Sequence, residues 1–309
     1  ALSERFIERP FRRGANPSER ASRKVLLAGA SLMACSLAIA GAIWATGGFA
    51  SRFPLPVVKA ESYLSYGDQG FFRTNICFLS TDSNHPRFFS TSDCLSMDPA
   101  RKNVLIIGDS QAAQLWHGLA AANPDVHFLQ ATVAGCSPLA GVRKRSAFEP
   151  TCKALMAMVI DRYLPAHRPD AVIVSARWND DEAHAIAGLV GHLRRFTERV
   201  YVVGPNVEYL QPLPRLVATA LLKNDPAAVR AARRPPDLVL ESRLRRGVEV
   251  AGGSYVSLRD TLCAGDDCVA VTPGGVPMDF DGDHLTAEGS RFVAERWRAQ
   301  GFPAEAISR

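Results

Sequence analysis

Asn103-Val104-Leu105-Ile106-Ile107-Gly108-Asp109-Ser110 is the stretch whose reading decides the fold. Four consecutive apolar residues, three of them β-branched, run into Gly-Asp-Ser. Ala112, Ala113, Leu115, Trp116, Leu119 and Ala120 then recur at helical spacing. The pattern predicts a buried strand over 103–108, a tight turn, and a helix over 112–122. A serine at such a turn lies at the carboxyl edge of a sheet, with its backbone N–H near the positive end of the following helix. Both features suit a nucleophile whose attack creates an oxyanion. The same three residues also fit a loop whose Asp and Ser merely cap a helix.

A second stretch, Asp281-Gly282-Asp283-His284-Leu285-Thr286, separates the two readings. A serine hydroxyl needs a base, usually histidine, and the histidine needs an orienting carboxylate. Asp281 precedes His284 by three residues, close enough to share one turn with it. Asp283 reads as an adjacent decoy. Thr286 with Glu288 and Gly289 reads as the start of a last helix that pins the loop.

Gly108-Asp109-Ser110 near the start of an α/β region, with Asp281-x-x-His284 near its end, resembles the SGNH (GDSL-like) hydrolase superfamily. The resemblance implies a flavodoxin-like fold and acyl-enzyme chemistry, with Ser110 as nucleophile, His284 as base and Asp281 as its partner. It also implies an oxyanion hole in which the backbone of Ser110 is joined by Gly135 and by the side chain of Asn179. The third-strand pattern of the family reads Gly-x-Asn-Asp, and this chain has Arg177 where the glycine belongs. Gln111 stands where the subfamily fused to a membrane acyltransferase often has histidine.

The rest of the C-terminal part alternates in the same way. Strands are expected at 103–108, 126–131, 170–176, 200–204 and 254–258. Helices are expected at 112–122, 147–163, 182–197, within 213–249 and at 286–299. Repeated β-α units imply a parallel sheet with helices on both faces, and a ligand site at the carboxyl ends of the strands. Ser110, Gly135 and Asn179 each follow such an end. Arg233-Arg234 and Arg243-x-Arg245-Arg246 read as a solvated helical face, with acidic-glycan binding as the minority reading.

The N-terminal fifth reads differently. Residues 1–24 hold seven basic and three acidic residues, a net of +4 in a chain whose total is +5. The remainder is nearly neutral, so the charge gives no reason to propose nucleic-acid binding. From Val25 to Phe49 no charge occurs over 25 residues. That length suffices to cross a hydrocarbon core of about 30 Å. It exceeds a signal-peptide core, and no cleavage site stands out. The basic arm then places residues 1–24 in the cytoplasm and everything from residue 50 outside. Phe6-Ile7-Glu8-Arg9-Pro10-Phe11-Arg12 resembles the closing segment of the acyltransferase-3 family of multi-span membrane proteins, many of which continue through one further span and a linker into an SGNH domain.

Residues 50–100 begin as a linker but carry Tyr63, Tyr66, Phe71, Phe72, Phe78, Phe88 and Phe89, too aromatic for a disordered tether. An irregular extension packed on the main domain is expected, with a short hairpin. Of seven cysteines, Cys35 falls in the span. The other six form three local pairs: Cys77 and Cys94, Cys136 and Cys152, Cys263 and Cys268. Nearest-neighbour disulfides suit an oxidising compartment. A zinc site is the rival, but no Cys-x-x-Cys occurs, and no metal is expected.

The expected organisation is therefore an arm (1–24), a span (25–49), a linker (50–100) and an SGNH-like catalytic domain (101–309). The expected activity is O-acyl transfer, most simply of acetyl, to an extracytoplasmic or cell-surface glycan. No cofactor is expected to be bound; an acetyl-CoA-type donor is used indirectly, through an acyltransferase-3 membrane domain in the same chain or a separate one. The expected location is a bacterial inner membrane with the catalytic domain in the periplasm. An anchored esterase uses the same acyl-enzyme, and a non-catalytic glycan-binding domain is the reading from another class.

Overall fold

The computed structural model describes residues 19–67, 69–139 and 147–303. The Phe6–Arg12 motif lies outside them. The chain divides into two units, 1–54 and 55–309.

The first unit is dominated by helix α1, Glu19–Ala45. Its large apolar side chains, among them Leu26, Leu32, Leu37 and Trp44, are exposed. Its segment Arg23–Ala45 is long and apolar enough to cross a membrane. The helix stops four residues short of the end of the uncharged run, where Gly47 and Gly48 take positive φ and turn the chain.

The second unit is built on strand β2, Lys102–Gly108, buried along its length after the first residue. It lies at the centre of a six-stranded, wholly parallel sheet. The other strands are β1 (Phe78–Leu79), β3 (Val126–Val133), β4 (Ala171–Ser175), β5 (Arg199–Val203) and β6 (Ser254–Val256), in the order β1-β3-β2-β4-β5-β6. Omitting the short edge strand β1, this is the flavodoxin-like order, whose direction of winding reverses between β2 and β4. The β-branched runs are apolar on both sides because helices cover both sides. Leu105 and Ile107 pack with Leu155 of α4 (Glu149–Met156), Ile186 of α5 (Asp180–Leu193) and Leu244 of α8 (Leu238–Val250). The alternate residues Val104 and Ile106 turn to the opposite face. There lies α3 (Ser110–Ala122), with the last helix, α10 (Ala287–Ala299), against it.

Further elements include α2 (Leu55–Ser62), α6 (Leu213–Lys223), α7 (Ala227–Ala231), α9 (Leu258–Leu262) and the hairpin of β7 (Cys263–Ala264) with β8 (Asp267–Cys268). Among the described residues, no hairpin forms in 50–100. Its place is taken by α2, short turns and β1, which pairs parallel to β3. Disulfides join Cys77 to Cys94, Cys136 to Cys152 and Cys263 to Cys268, while Cys35 is free.

One contact ties the two ends of the domain together. Gly118 of α3 donates its N–H to Ser290 Oγ of α10 at 3.1 Å, and that hydroxyl donates to the carbonyl of Gln114. A Cβ on Gly118 would lie 2.1 Å from the Ser290 carbonyl oxygen, so only glycine permits this approach. Gly118→Ala is expected to destabilise the domain by about 3 kcal/mol, as overpacking does in a rigid interface. Urea denaturation of the chain measures this, and a change below about 1 kcal/mol contradicts the stated role.

Candidate active site

β2 ends at Gly108, whose φ of 138° brings its backbone against the end of β4. A Cβ there would lie 1.7 Å from the Ser175 carbonyl oxygen. Asp109 follows, 1% exposed. One of its carboxylate oxygens accepts the Gln111 N–H at 2.9 Å and caps α3; the other accepts the Arg177 N–H at 2.9 Å. The turn after β2 and the turn after β4 are thus held by one buried carboxylate. Ser110 is the first residue of α3, at its positive end.

The second half of the site is the loop between Asp279 and Leu285, closed by an antiparallel bridge between those residues. Asp281 builds the turn. Its Oδ1 accepts the N–H of Asp283 at 2.9 Å and of His284 at 2.7 Å. Its Oδ2 lies 2.8 Å from His284 Nδ1, and His284 Nε2 lies 2.8 Å from Ser110 Oγ. A carboxylate only accepts, so Nδ1 carries hydrogen toward Asp281 and Nε2 of the neutral ring faces the hydroxyl. The three-residue spacing of Asp281 and His284 lets one side chain shape the loop and orient the imidazole.

Neighbouring elements hold this loop. The Asp283 carbonyl accepts from Gln111 Nε2 at 2.9 Å and from Asn206 Nδ2 at 2.8 Å. Leu285 N–H donates to Gln114 Oε1 at 2.7 Å. The ring of Phe280 stacks on His284 with centroids 5.9 Å apart, and Tyr66 stacks on Phe280 at 5.6 Å. Thr286 caps α10, accepting from Gly289 N–H at 2.9 Å.

Asp283, expected to be a bystander, also reaches the imidazole, at a longer distance than Asp281 does. Its Oδ1 stands 3.3 Å from His284 Nδ1, and its Oδ2 stands 3.1 Å from an Arg177 guanidinium nitrogen. Arg177 also binds Glu208 at 3.0 Å. That bridge is what an arginine adds at the position where the family pattern has glycine.

Gly135 sits in the turn after β3 with φ 59°. Beside it opens a cavity of about 580 Å³ walled by Leu139, Met156, Ile160 and Leu189. Asn179 spends its Oδ1 on the Glu182 N–H, as the N-cap of α5, while Glu182 returns a bond to the Asn179 N–H. Its amide nitrogen makes no hydrogen bond with the described residues. On the sequence alone, Gln111 stood out only as a departure from the subfamily's histidine, and the contacts of Gln114, Asn206 and Asp283 were not foreseen. The signal available was position, since Asn206 follows β5 as Arg177 follows β4.

The ligand atoms of Asp281, Asp283 and His284 lie within 4.8 Å of one another, a spacing that an ion could also use. Here those atoms serve the imidazole, Arg177 and two backbone amides. Burial pushes the His284 pKa down, but hydrogen bonds and charge from Asp281 and Asp283 outweigh it and raise the pKa well above the usual histidine value. The neutral base therefore forms only as pH climbs through a raised value. Asp283→Asn removes one of the two carboxylates. It is expected to move the acidic limb of kcat/KM against pH to lower pH, with a smaller effect on the plateau. A pH–rate profile with an ester substrate measures this, and an unmoved limb contradicts the role given to Asp283.

Comparison with known proteins bears on the family and the fold. No curated protein matches the chain. Among solved structures, the periplasmic domain of a lipopolysaccharide acetyltransferase from Salmonella ser. Paratyphi A is similar in fold: TM-score 0.64, 20% identity, covering 78% of this chain and 96% of that one. Est24, a carbohydrate acetylesterase from Sinorhizobium meliloti, matches with TM-score 0.40 and 14% identity, over 65% of this chain and 98% of that one. The family of the SGNH domain fused to AT3 domains matches residues 77–299, and the chain belongs to that family.

Proposed function

We propose that the domain transfers an acyl group, most simply acetyl, through an ester on Ser110 to a hydroxyl of an extracytoplasmic or cell-surface glycan. The observation that carries this reading is the continuous relay Ser110 Oγ, His284 Nε2, His284 Nδ1, Asp281 Oδ2, with 2.8 Å at each hydrogen bond. Ser110 Oγ attacks the acyl carbonyl while His284 Nε2 takes its proton. The oxyanion forms before the backbone N–H groups of Ser110 and Gly135, with Asn179 Nδ2 as third donor. Collapse expels the donor's leaving group, which receives the proton from Nε2. A sugar hydroxyl then attacks the ester carbonyl, gives its proton to Nε2, and releases Ser110, which recovers that proton. Water in place of the sugar makes the same site an esterase.

Several observations support a membrane setting. The SGNH domain of this family is fused to AT3 domains, α1 is long and apolar enough to span, and three disulfides suit an oxidising compartment. In this reading α1 crosses a bacterial inner membrane with its basic arm inside, and the catalytic domain faces the periplasm. A cytoplasmic acetyl-CoA-type donor is then out of reach, and an acyltransferase-3 domain carries the acyl group across.

Ser110→Ala and His284→Ala are each expected to lower turnover of an activated acetyl ester by about 10⁴-fold or more, and the double variant to fall little further, because the two residues act as a unit. A serine-directed fluorophosphonate should label the native chain and spare Ser110→Ala. Additive losses, or labelling elsewhere, contradict the acyl-enzyme reading. Acetylated sugar among the products, set against acetate alone, separates transferase from esterase.

A further inference from the structure

The carboxyl edge of the sheet runs past Ser110 in two directions, and the surfaces on the two sides differ. Toward β3 the cavity beside Gly135 is walled mainly by apolar side chains. Toward β4, β5 and β6 lies a second cavity, of about 190 Å³, which begins at Gln111, next to the nucleophile, and passes Asn206 to reach Arg259. Its charged lining is Arg177, Arg233, Arg234 and Arg259 against Glu208, Asp237 and Glu241.

The acids in this lining are already engaged. Glu208 holds Arg177 at 3.0 Å and Arg234 at 3.7 Å. Asp237 caps α8 through the Leu240 N–H at 2.9 Å. Glu241 accepts the Ser257 hydroxyl at 2.7 Å. Arg233 is held by the carbonyl and side chain of Asp266. Arg259, in the first turn of α9 just after β6, is half-buried and has neither an ion pair nor a hydrogen bond with the described residues. The lining thus holds four arginines against three acids, and Arg259 is the one unengaged among the described residues. The Cys263–Cys268 disulfide lines the same cavity beside it.

We infer that this second cavity is the acceptor's subsite and that Arg259 recognises an anionic group, a carboxylate or a phosphate, on the glycan. The inference rests on the acyl-transfer reading for its place in the reaction. A guanidinium offers a planar pair of donors that matches either oxyanion. β2 and β6 stand three strand spacings apart, roughly 14 Å along the sheet edge. The anion therefore belongs to a sugar unit beyond the one that receives the acyl group. The mainly apolar cavity on the other side of Ser110 also has a cation in its lining, Lys153, but that one is paired with Glu149 at 2.8 Å.

Binding tests this directly on the full chain in detergent micelles carrying Ser110→Ala, in which no acyl-enzyme forms, so the result stands apart from the turnover test above. The probes are cellobiose, the same disaccharide with a terminal glucuronate, and the same disaccharide with a terminal phosphate, titrated calorimetrically. One or both charged sugars should bind about tenfold more tightly than the neutral one, the scale of one charge-assisted hydrogen bond. The charged sugar that binds more tightly identifies carboxylate or phosphate as the source. Added Arg259→Gln should bring the ratio close to one, and Arg259→Lys should keep part of it. Arg215→Gln, on the exposed side of α6 and outside the cavity, should leave the ratio as it was. A thermal melt shows whether each variant is folded. Equal affinity for all three sugars, no binding of any, or a preference that survives Arg259→Gln in a folded chain, overturns the inference.

Discussion

The site depends on one buried carboxylate with two assignments. Asp109 accepts one backbone N–H from the helix that begins at Ser110 and one from the turn after β4. A buried carboxylate needs such partners, because an unpaired charge out of water is costly. By satisfying itself, Asp109 fixes the nucleophile's helix against the strand where the winding of the sheet reverses. Gly108 permits the approach, since no side chain fits between it and Ser175. Once that corner is set, the position of Ser110 is a property of the sheet and not of a loop.

The base is positioned by another economy of the same kind. Asp281 folds its own turn with one oxygen and orients the imidazole with the other. Gln111, Gln114 and Asn206 then fasten that turn to elements that already carry the nucleophile or stand beside it. Nucleophile and base are far apart in sequence, yet the helix that carries one is hydrogen-bonded to the loop that carries the other. Preorganisation of this sort spares the reaction the cost of gathering its groups.

The parts legible in the sequence are those whose cause is local. Val104–Ile107 and Ala171–Ser175 read as strands because a two-sided parallel sheet needs continuous apolar runs. Ser110, Asp281 and His284 stood out because a turn, a helix start and a three-residue spacing are short-range features. The nearest-neighbour cysteine pairs were legible for the same reason. What was not legible depends on contacts between distant segments. β1 has two residues and no periodicity to detect; only its pairing with β3 makes it a strand. Asp283 looked redundant beside Asp281, and its use is set by Arg177, which reaches it from another strand. The cap that Asn179 forms through its carbonyl oxygen was likewise not read from the sequence; it leaves the amide nitrogen for the donor role expected of it.

The rings beside the base carry a consequence for where the catalytic unit begins. Tyr66 stacks on Phe280, its hydroxyl receives the Ala287 N–H at 3.0 Å and donates to Glu288, and Phe72 also faces His284. All of this comes from residues ahead of Cys77, where the family match starts. The segment from Leu55 onward therefore belongs to the catalytic body as an inner wall and not as a tether. A fragment cut at the family boundary would keep its nucleophile, base and acid, with Phe280 still on the imidazole, and lose Tyr66 and Phe72, the rings that back that stack.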